Sequence, residues 1–286
     1  MNILLTGCNG QLGIEIKRQL TQTDQTIRLF ETDVHNLDIT DGVQVFHRVL
    51  ELKPEVIINC AAYTNVDGCE EDQQTAFRVN AVGAQNLSVA AYELGAKMIQ
   101  ISTDYVFDGN TNLERREYDP VNPLSIYGKS KALGETLVRE TNPKHFILRT
   151  AWLYGEGNNF VRTMLKLARE RDELKVVNDQ IGSPTSTVDL AACIIDLMRT
   201  QSYGTYHATN EGFCSWYDFA KKIFELAKIP IQVNPITTEQ LNRPAPRPKF
   251  SVLDNFMLKL INENSFRTWE EALKEYLLKE KLDVVA

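Results

Sequence analysis

The sequence predicts an α/β fold: a doubly wound parallel sheet with a smaller C-terminal lobe. Three observations predict it. Short apolar runs alternate with longer amphipathic segments over the first 150 residues, a glycine-rich string follows the first apolar run, and the alternation loosens after about residue 155.

Residues 2–6, 26–31, 55–59, 97–102 and 145–149 read as buried strands, being short and rich in Ile, Leu, Val or Phe. Helical patterns cover 11–20, 41–52, 82–94 and 125–139. Thr40 or Asp41 suits the N-cap of the second helix, and Gly95 suits the stop of the third. Strands alternating with helices imply right-handed crossovers, with ligands bound beyond the carboxyl ends of the strands. Residues 1–155 are therefore assigned to the sheet domain and 156–286 mainly to the lobe, with some later segments returning to the sheet. In the lobe, 160–171, 187–199, 215–226 and 268–279 read as helices, whereas proline-rich 242–249 can be neither helix nor central strand.

A chain of 286 residues with 43% apolar and 24% charged side chains has the composition of a globular protein with a full core. Its net charge of −7 and lack of a basic stripe argue against nucleic acid and anionic lipid as partners. The five cysteines, Cys8, Cys60, Cys69, Cys193 and Cys214, form no CxxC or Cys/His cluster and read as reduced thiols. The chain runs from Met1 into strand-like Ile3-Leu4-Leu5 without a charged leader, and no apolar run approaches the roughly 20 residues of a membrane span. The expectation is a soluble, cytoplasmic protein.

Gly7-Cys8-Asn9-Gly10-Gln11-Leu12-Gly13 lies between the first strand and the first helix. In that setting glycines permit a tight turn, close approach of a pyrophosphate to the backbone, and close packing of helix on sheet. The helix N-terminus adds amide N–H groups and partial positive charge. This reads as a Rossmann-type dinucleotide site; a glycine-rich turn without a ligand is the bland alternative. Asp33 ends the second strand about 20 residues past the loop, where a carboxylate bonds an adenosine ribose 2′-hydroxyl. A carboxylate there repels a 2′-phosphate and leans the coenzyme toward NAD, and Arg28 lies too early in the strand to favour NADP. Asp38-Ile39 could hold the adenine, although both acids also suit a solvated loop.

Tyr127 and Lys131 stand four residues apart in a helical pattern, so phenol and ammonium share one face. A neighbouring cation lowers a phenol pKa that is ordinarily about 10. Tyr127 would then protonate a carbonyl oxygen as hydride reaches its carbon, while Lys131 could also bond the nicotinamide ribose. Thr103, just past the fourth strand, can hold the same oxygen. A YxxxK string is common by chance, and its weight here comes from convergence of the three residues at the ligand edge of the sheet. A strand-end cap beside a solvated helix face is the alternative.

With these residues in view, the chain resembles the extended short-chain dehydrogenase/reductase superfamily. A narrower likeness, to the dTDP-4-dehydrorhamnose reductase family, covers nearly the whole chain. It rests on Gly10-Gln11-Leu12-Gly13, Asn59-Cys60-Ala61-Ala62-Tyr63-Thr64, Ser102-Thr103-Asp104-Tyr105-Val106-Phe107-Asp108-Gly109, Arg149-Thr150-Ala151-Trp152-Leu153-Tyr154-Gly155 and Asp179-Gln180-Ile181-Gly182-Ser183-Pro184-Thr185. The resemblance implies reduction of the C4 ketone of a nucleotide sugar with NADH or NADPH, supplying rhamnose for surface polysaccharide. It implies that Thr103 orients the keto oxygen, Tyr127 donates the proton and Lys131 lowers its pKa. Gly10, Gln11, Leu12, Asp33, Asp38, Ile39, Ala62, Tyr63 and Thr64 would line the dinucleotide.

Thr103, Asp104 and Trp152 would contact the sugar, although a tryptophan just past a buried strand can also be core filling. Arg247-Pro248-Lys249-Phe250-Ser251-Val252-Leu253 fits the family's Arg-Pro-x-x-Ser-x-Leu stretch. Arg243 and Arg247 could clamp the substrate diphosphate there, or belong to a proline-stiffened surface loop. Some members bind Mg2+ through acidic residues at a dimer contact, and Glu15 suits one such position. Its partner carboxylates are not placed, so no metal ligand is assigned, and an exposed first-turn glutamate is the default reading.

Rival readings remain within the superfamily and outside it. A dehydratase of this type follows the strand-end Thr with Asp-Glu, whereas Asp104 is followed here by Tyr105. An epimerase would hold its NAD tightly. A non-catalytic subunit, such as the β subunit of a methionine adenosyltransferase, could keep the glycine loop while losing Thr103, Tyr127 and Lys131, all of which are present.

Overall fold

The structure, a computed structural model, describes residues 1–23 and 26–279. Its first half runs β1 (Asn2–Thr6), α1 (Gln11–Thr23), β2 (Arg28–Thr32), α2 (Gly42–Leu52) and β3 (Val56–Asn59). Next come α3 (Val66–Glu71), α4 (Gln73–Phe77), a π-helical turn (Arg78–Gly83), α5 (Ala84–Glu93) and β4 (Lys97–Thr103). Helix α6 (Ile126–Thr141) and β5 (His145–Thr150) complete the half. The remainder adds β6 (Leu153–Tyr154), α7 (Phe160–Leu167), β7 (Glu173–Val177), β8 (Ile181–Gly182), β9 (Thr185–Ser186) and α8 (Thr187–Leu197). After these come β10 (Gly204–His207), β11 (Cys214–Ser215), α9 (Trp216–Ala227), β12 (Gln232–Ile236), α10 (Thr238–Leu241), α11 (Phe256–Leu260) and α12 (Trp269–Lys279).

Six strands form one parallel sheet in the order β10-β5-β4-β3-β1-β2. Two apolar layers sandwich it. One contains Ile3, Leu5, Ile58, Ile99, Phe146 and Leu148 with α1 and α8 residues such as Ile16 and Ile194. The other contains Leu4, Ile57, Met98 and Ile147 with Val45, Leu87 and Val138. Burial on both faces explains why the central strands read as unbroken apolar runs rather than alternating ones. Edge strand β2 is only partly covered. The chain order reverses between β1 and β3, so the carboxyl ends of β1, β3 and β4 open onto one crevice.

The lobe has its own core, in which Tyr154, Phe219, Ile223, Leu273 and Tyr276 meet. Parallel β7 and β12 flank it. The pairing of β7 with β12 was not expected, because both are short and β12 carries Pro235. Chain 187–207 leaves the lobe, and β10 pairs with β5 at the sheet edge.

Where expectation and structure differ, local bonding decides. Asp41 rather than Thr40 caps α2, accepting the Gln44 N–H at 3.0 Å. The helix expected from residue 82 begins as far back as Gln73, because the wide turn Arg78–Gly83 joins α4 to α5. Asn80 in that turn accepts the Tyr63 N–H at 2.8 Å and donates to Ser130 Oγ at 3.0 Å, tying the chain after β3 to α6. Helix α6 crosses the turn closely, and a Cβ on Gly134 would stand 2.3 Å from the Asn80 carbonyl oxygen. All five cysteines are free, and among the described residues no helix is long and apolar enough to cross a membrane.

Replacing Gly134 with alanine should therefore force α6 away from the π-turn. We expect a loss of about 1–3 kcal/mol, the usual cost of overpacking. Urea unfolding of Gly134→Ala should show a lower midpoint with an unchanged slope.

Candidate active site

The glycine loop is built by close approach. Gly7 adopts φ +65°, and a Cβ there would lie 2.6 Å from the Ala61 amide nitrogen, so the loop is pressed onto the chain leaving β3. A Cβ on Gly13 would lie 2.3 Å from the Gly7 carbonyl oxygen, which fixes α1 against the same turn. The first amide N–H groups of a helix have no carbonyl partner within it. The first residues of α1 line the crevice, where such a helix start suits a pyrophosphate.

Two adjoining cavities lie at the carboxyl ends of the strands. One, of about 410 Å³, is lined by Gly7, Gly10, Asp33, Asp38, Ile39 and Ala62 among others. The second, of about 550 Å³, contains Gly10, Gln11, Leu12, Gly13, Ala62, Thr64, Thr103, Asp104, Tyr127, Lys131 and Trp152 in its walls. They share Gly10, Cys60 and Ala62. The first has the chemistry of an adenosine pocket. Asp33 Oδ2 accepts the Asn9 N–H at 3.2 Å and its Oδ1 accepts the Val34 N–H at 2.8 Å, placing an anion at its rim.

Tyr63 and Arg247 belong to neither wall. The Tyr63 N–H is spent on Asn80, and its hydroxyl packs against Gly68. Arg247 shares a separate depression of about 280 Å³ with Arg243. Its guanidinium forks onto the Asp67 carboxylate at 3.1 and 3.0 Å, and Arg243 lies 3.6 Å from the same group. That ion pair holds the Asp67 carboxyl below its ordinary range against the cost of burial.

Tyr127 enters from the first turn of α6. Ser125 caps that helix by accepting the Gly128 N–H at 3.1 Å, and Glu70 Oε1 accepts the Ile126 N–H at 2.8 Å. A Cβ on Gly128 would lie 2.2 Å from the Tyr105 carbonyl oxygen, so the helix start is pressed onto the chain just after Thr103. The Tyr105 and Tyr127 rings meet edge to face, 5.5 Å apart.

Lys131, one turn on, does not sit on the phenol. Its Nζ donates to the Ile101 carbonyl oxygen at 2.6 Å. Burial pulls its pKa down to about 8, opposed by Glu135 and then Cys60. Burial pushes Tyr127 well above its ordinary value, opposed by the Thr103 hydroxyl and reinforced by Asp104. The Lys131 ammonium bonds a backbone carbonyl, and burial governs the phenol of Tyr127. The phenol is thus kept protonated and the amine is poised near neutrality.

Asp104 is the carboxylic acid in the wall of the second cavity. Its Oδ1 accepts the Thr103 hydroxyl at 2.9 Å, while Oδ2 is buried without a partner. Burial pushes this carboxyl up to about 6, opposed first by the Ser251 hydroxyl, which lies beyond good hydrogen-bond geometry to Oδ2, and then by that of Thr103. Trp152 takes φ +46°, rare for a bulky residue, and a Cβ on Gly182 would meet its indole at 2.5 Å. Its ring stacks on Trp216 at 3.6 Å and 8°. Trp216, in the same cavity wall, escaped sequence reasoning, because nothing in the sequence links the start of α9 to the end of β5.

Glu15, read as an exposed glutamate, is instead 8% exposed and bound by Arg18 at 2.9 Å and Gln19 at 2.6 Å. Two side chains from its own helix occupy it. The described residues contain no group of three or more His, Cys, Asp or Glu able to hold a metal.

Comparison with known proteins agrees with this geometry. Residues 1–282 match the family described as RmlD substrate binding domain. The spore coat polysaccharide biosynthesis protein SpsK of Bacillus subtilis is 44% identical over 278 residues, covering 96% of each chain. The crystal structure of a dTDP-4-dehydrorhamnose reductase from Clostridium acetobutylicum superposes with a TM-score of 0.97 at 53% identity, covering 99% of this chain and 100% of that one. The Bacillus anthracis dTDP-4-dehydrorhamnose reductase, solved in complex with NADP, gives 0.94 at 45% identity, covering 97% and 99%. With its glycine cradle, its Thr103, Tyr127 and Lys131 in one cavity wall, and these likenesses along its length, the chain belongs to the RmlD family of dTDP-4-dehydrorhamnose reductases.

Proposed function

We propose that this protein reduces the C4 ketone of dTDP-4-dehydro-L-rhamnose, giving dTDP-L-rhamnose, with NADH or NADPH as coenzyme. The observation that carries the reading is a single cavity wall shared by the glycine cradle, Thr103, Tyr127 and Lys131. When bound, the nicotinamide supplies the hydride.

Every other task falls to side chains of the chain. The backbone between Gly7 and Gly13 receives the pyrophosphate, with Asp33, Asp38 and Ile39 around the adenosine and Ala62 and Thr64 along the middle of the dinucleotide. Thr103 holds the keto oxygen, and the half-buried Tyr127, whose phenol is pushed up by burial, delivers its proton to that oxygen. The phenolate left behind is stabilised by the positive charge of Lys131 in a site of low dielectric. Asp104 Oδ2 has the unmet capacity to accept a sugar hydroxyl, and the Trp152–Trp216 stack offers the sugar an apolar wall. Arg247, together with Arg243, would reach the diphosphate only by exchanging Asp67 for phosphate.

Tyr127→Phe removes the transferred proton and little volume. We expect turnover to fall by about 10²–10⁴-fold, with NADPH affinity by fluorescence titration unchanged. Retained turnover would contradict the assigned role. Asp104→Asn separates binding from stability. A carboxyl whose folded pKa is raised from 3.8 to about 6 stabilises the fold when protonated and loses that contribution as pH rises through 6. At pH 7 the variant should melt a few degrees higher than wild type, by about 2–4 °C per kcal/mol relieved, with the gain shrinking toward pH 4. Its kcat/KM for the keto sugar should fall.

A further inference from the structure

Three side chains of α6 at successive turns meet three consecutive residues of β4. Tyr127 lies beside Thr103, Lys131 Nζ donates to the Ile101 carbonyl at 2.6 Å, and Glu135 Oε1 accepts the Ser102 hydroxyl at 2.6 Å. Glu135 is bound further by Arg149, whose Nε reaches Oε1 at 2.9 Å and whose Nη2 reaches Oε2 at 2.7 Å. Lys131, Glu135 and Arg149 are 4%, 1% and 2% exposed, so solvent screens none of them. Two cations and one carboxylate thus sit together in a buried layer that begins at Lys131 in the cavity wall.

A lone ion pair holding α6 to β5 would be an expensive structural device, since burying both charges costs about what their attraction returns. Here the carboxylate also stands one helical turn from the ammonium that the reductive site needs charged. We propose that Glu135 is a positioning residue of the reductive site: its bonds to Ser102 and Arg149 fix the end of β4 against α6, and its carboxylate is set one helical turn from the Lys131 ammonium. The importance of this for turnover rests on the reductase reading.

The other groups facing the pair do not replace it. Arg149 from β5 and Arg139, 3.9 Å from Glu135 Oε2, are cations bound to Glu135 and bring no negative charge to Lys131. Cys60, beyond β3, has its thiol pushed up to about 12 and is neutral in the working range. Tyr127 keeps its proton, and Asp104 acts on the phenol. Glu135 stands first among the influences that hold Lys131 up against burial.

The test is the double variant Glu135→Gln/Arg149→Met, which removes both charges without stranding either and leaves an amide for Ser102. Lysine labelled at Cε is titrated by NMR in the ligand-free protein, with Lys131 assigned by loss of its signal in Lys131→Arg. We expect the Lys131 midpoint to fall by roughly one pH unit. The alkaline limb of kcat/KM for the keto sugar should move to lower pH by the same amount, because activity is lost as Lys131 deprotonates.

A purely structural pair predicts a titration and a pH profile that overlay those of wild type, and that result overturns the inference. Should the double variant not fold, Glu135→Asp and Glu135→Gln decide: aspartate should preserve the midpoint and glutamine lower it, and equal midpoints would overturn the proposal. The titration uses neither substrate nor coenzyme, so its outcome is separate from whether the wild-type protein reduces the keto sugar, which the assay alone decides.

Discussion

The close approach of α6 to the chain around it governs the site. At Gly128 the helix leaves no room for a Cβ against the Tyr105 carbonyl, and at Gly134 none against that of Asn80. This backbone contact delivers the phenol and the ammonium to the end of β4, burying Lys131 and half-burying Tyr127. The same desolvation then acts with opposite sign on the two groups, raising the phenol and lowering the amine. The phenol keeps the proton that a reduction must supply, while the amine depends on neighbours to stay charged. Glu135 is placed to be that neighbour.

The cavity is therefore a region where the fold accepts unfavourable local terms. Asp104 is buried with one oxygen unpartnered, and Trp152 holds a left-handed backbone conformation over Gly182. Such features persist where surrounding structure over-determines them, and they cluster at binding sites. The apolar layers on both faces of the sheet supply the rigidity that tolerates them. The Arg247–Asp67 fork ties the proline-rich loop to α3 through an internal carboxylate.

The sheet and its crossovers were legible because both faces are buried: β1, β3, β4 and β5 stand out as apolar runs, and Gly7, Gly10 and Gly13 mark the one βα turn that a phosphate could approach. Thr103, Tyr127 and Lys131 could be read for a related reason, since a strand end and a one-turn helical spacing are local patterns. What escaped depends on contacts between distant segments. Nothing in the sequence joins Trp216 to Trp152, Asp67 to Arg247, or Glu135 to Arg149 and Ser102. The opposite shifts of Tyr127 and Lys131 escaped too, because helical spacing shows that two groups share a face but not that one donates to a strand carbonyl. Glu15 was misjudged on the same ground, its partners Arg18 and Gln19 being visible in the sequence but its burial being tertiary.

The account stands on the Tyr127 phenol and the Thr103 hydroxyl meeting the reacting oxygen of a sugar laid over the nicotinamide. A crystal structure of the protein with NADPH and dTDP-L-rhamnose measures this directly. The account predicts the sugar O4 within hydrogen-bond distance of Tyr127 Oη and Thr103 Oγ1, with the nicotinamide C4 facing the sugar C4. A well-ordered sugar bound elsewhere, or turned so that O4 points away from both hydroxyls, would contradict it.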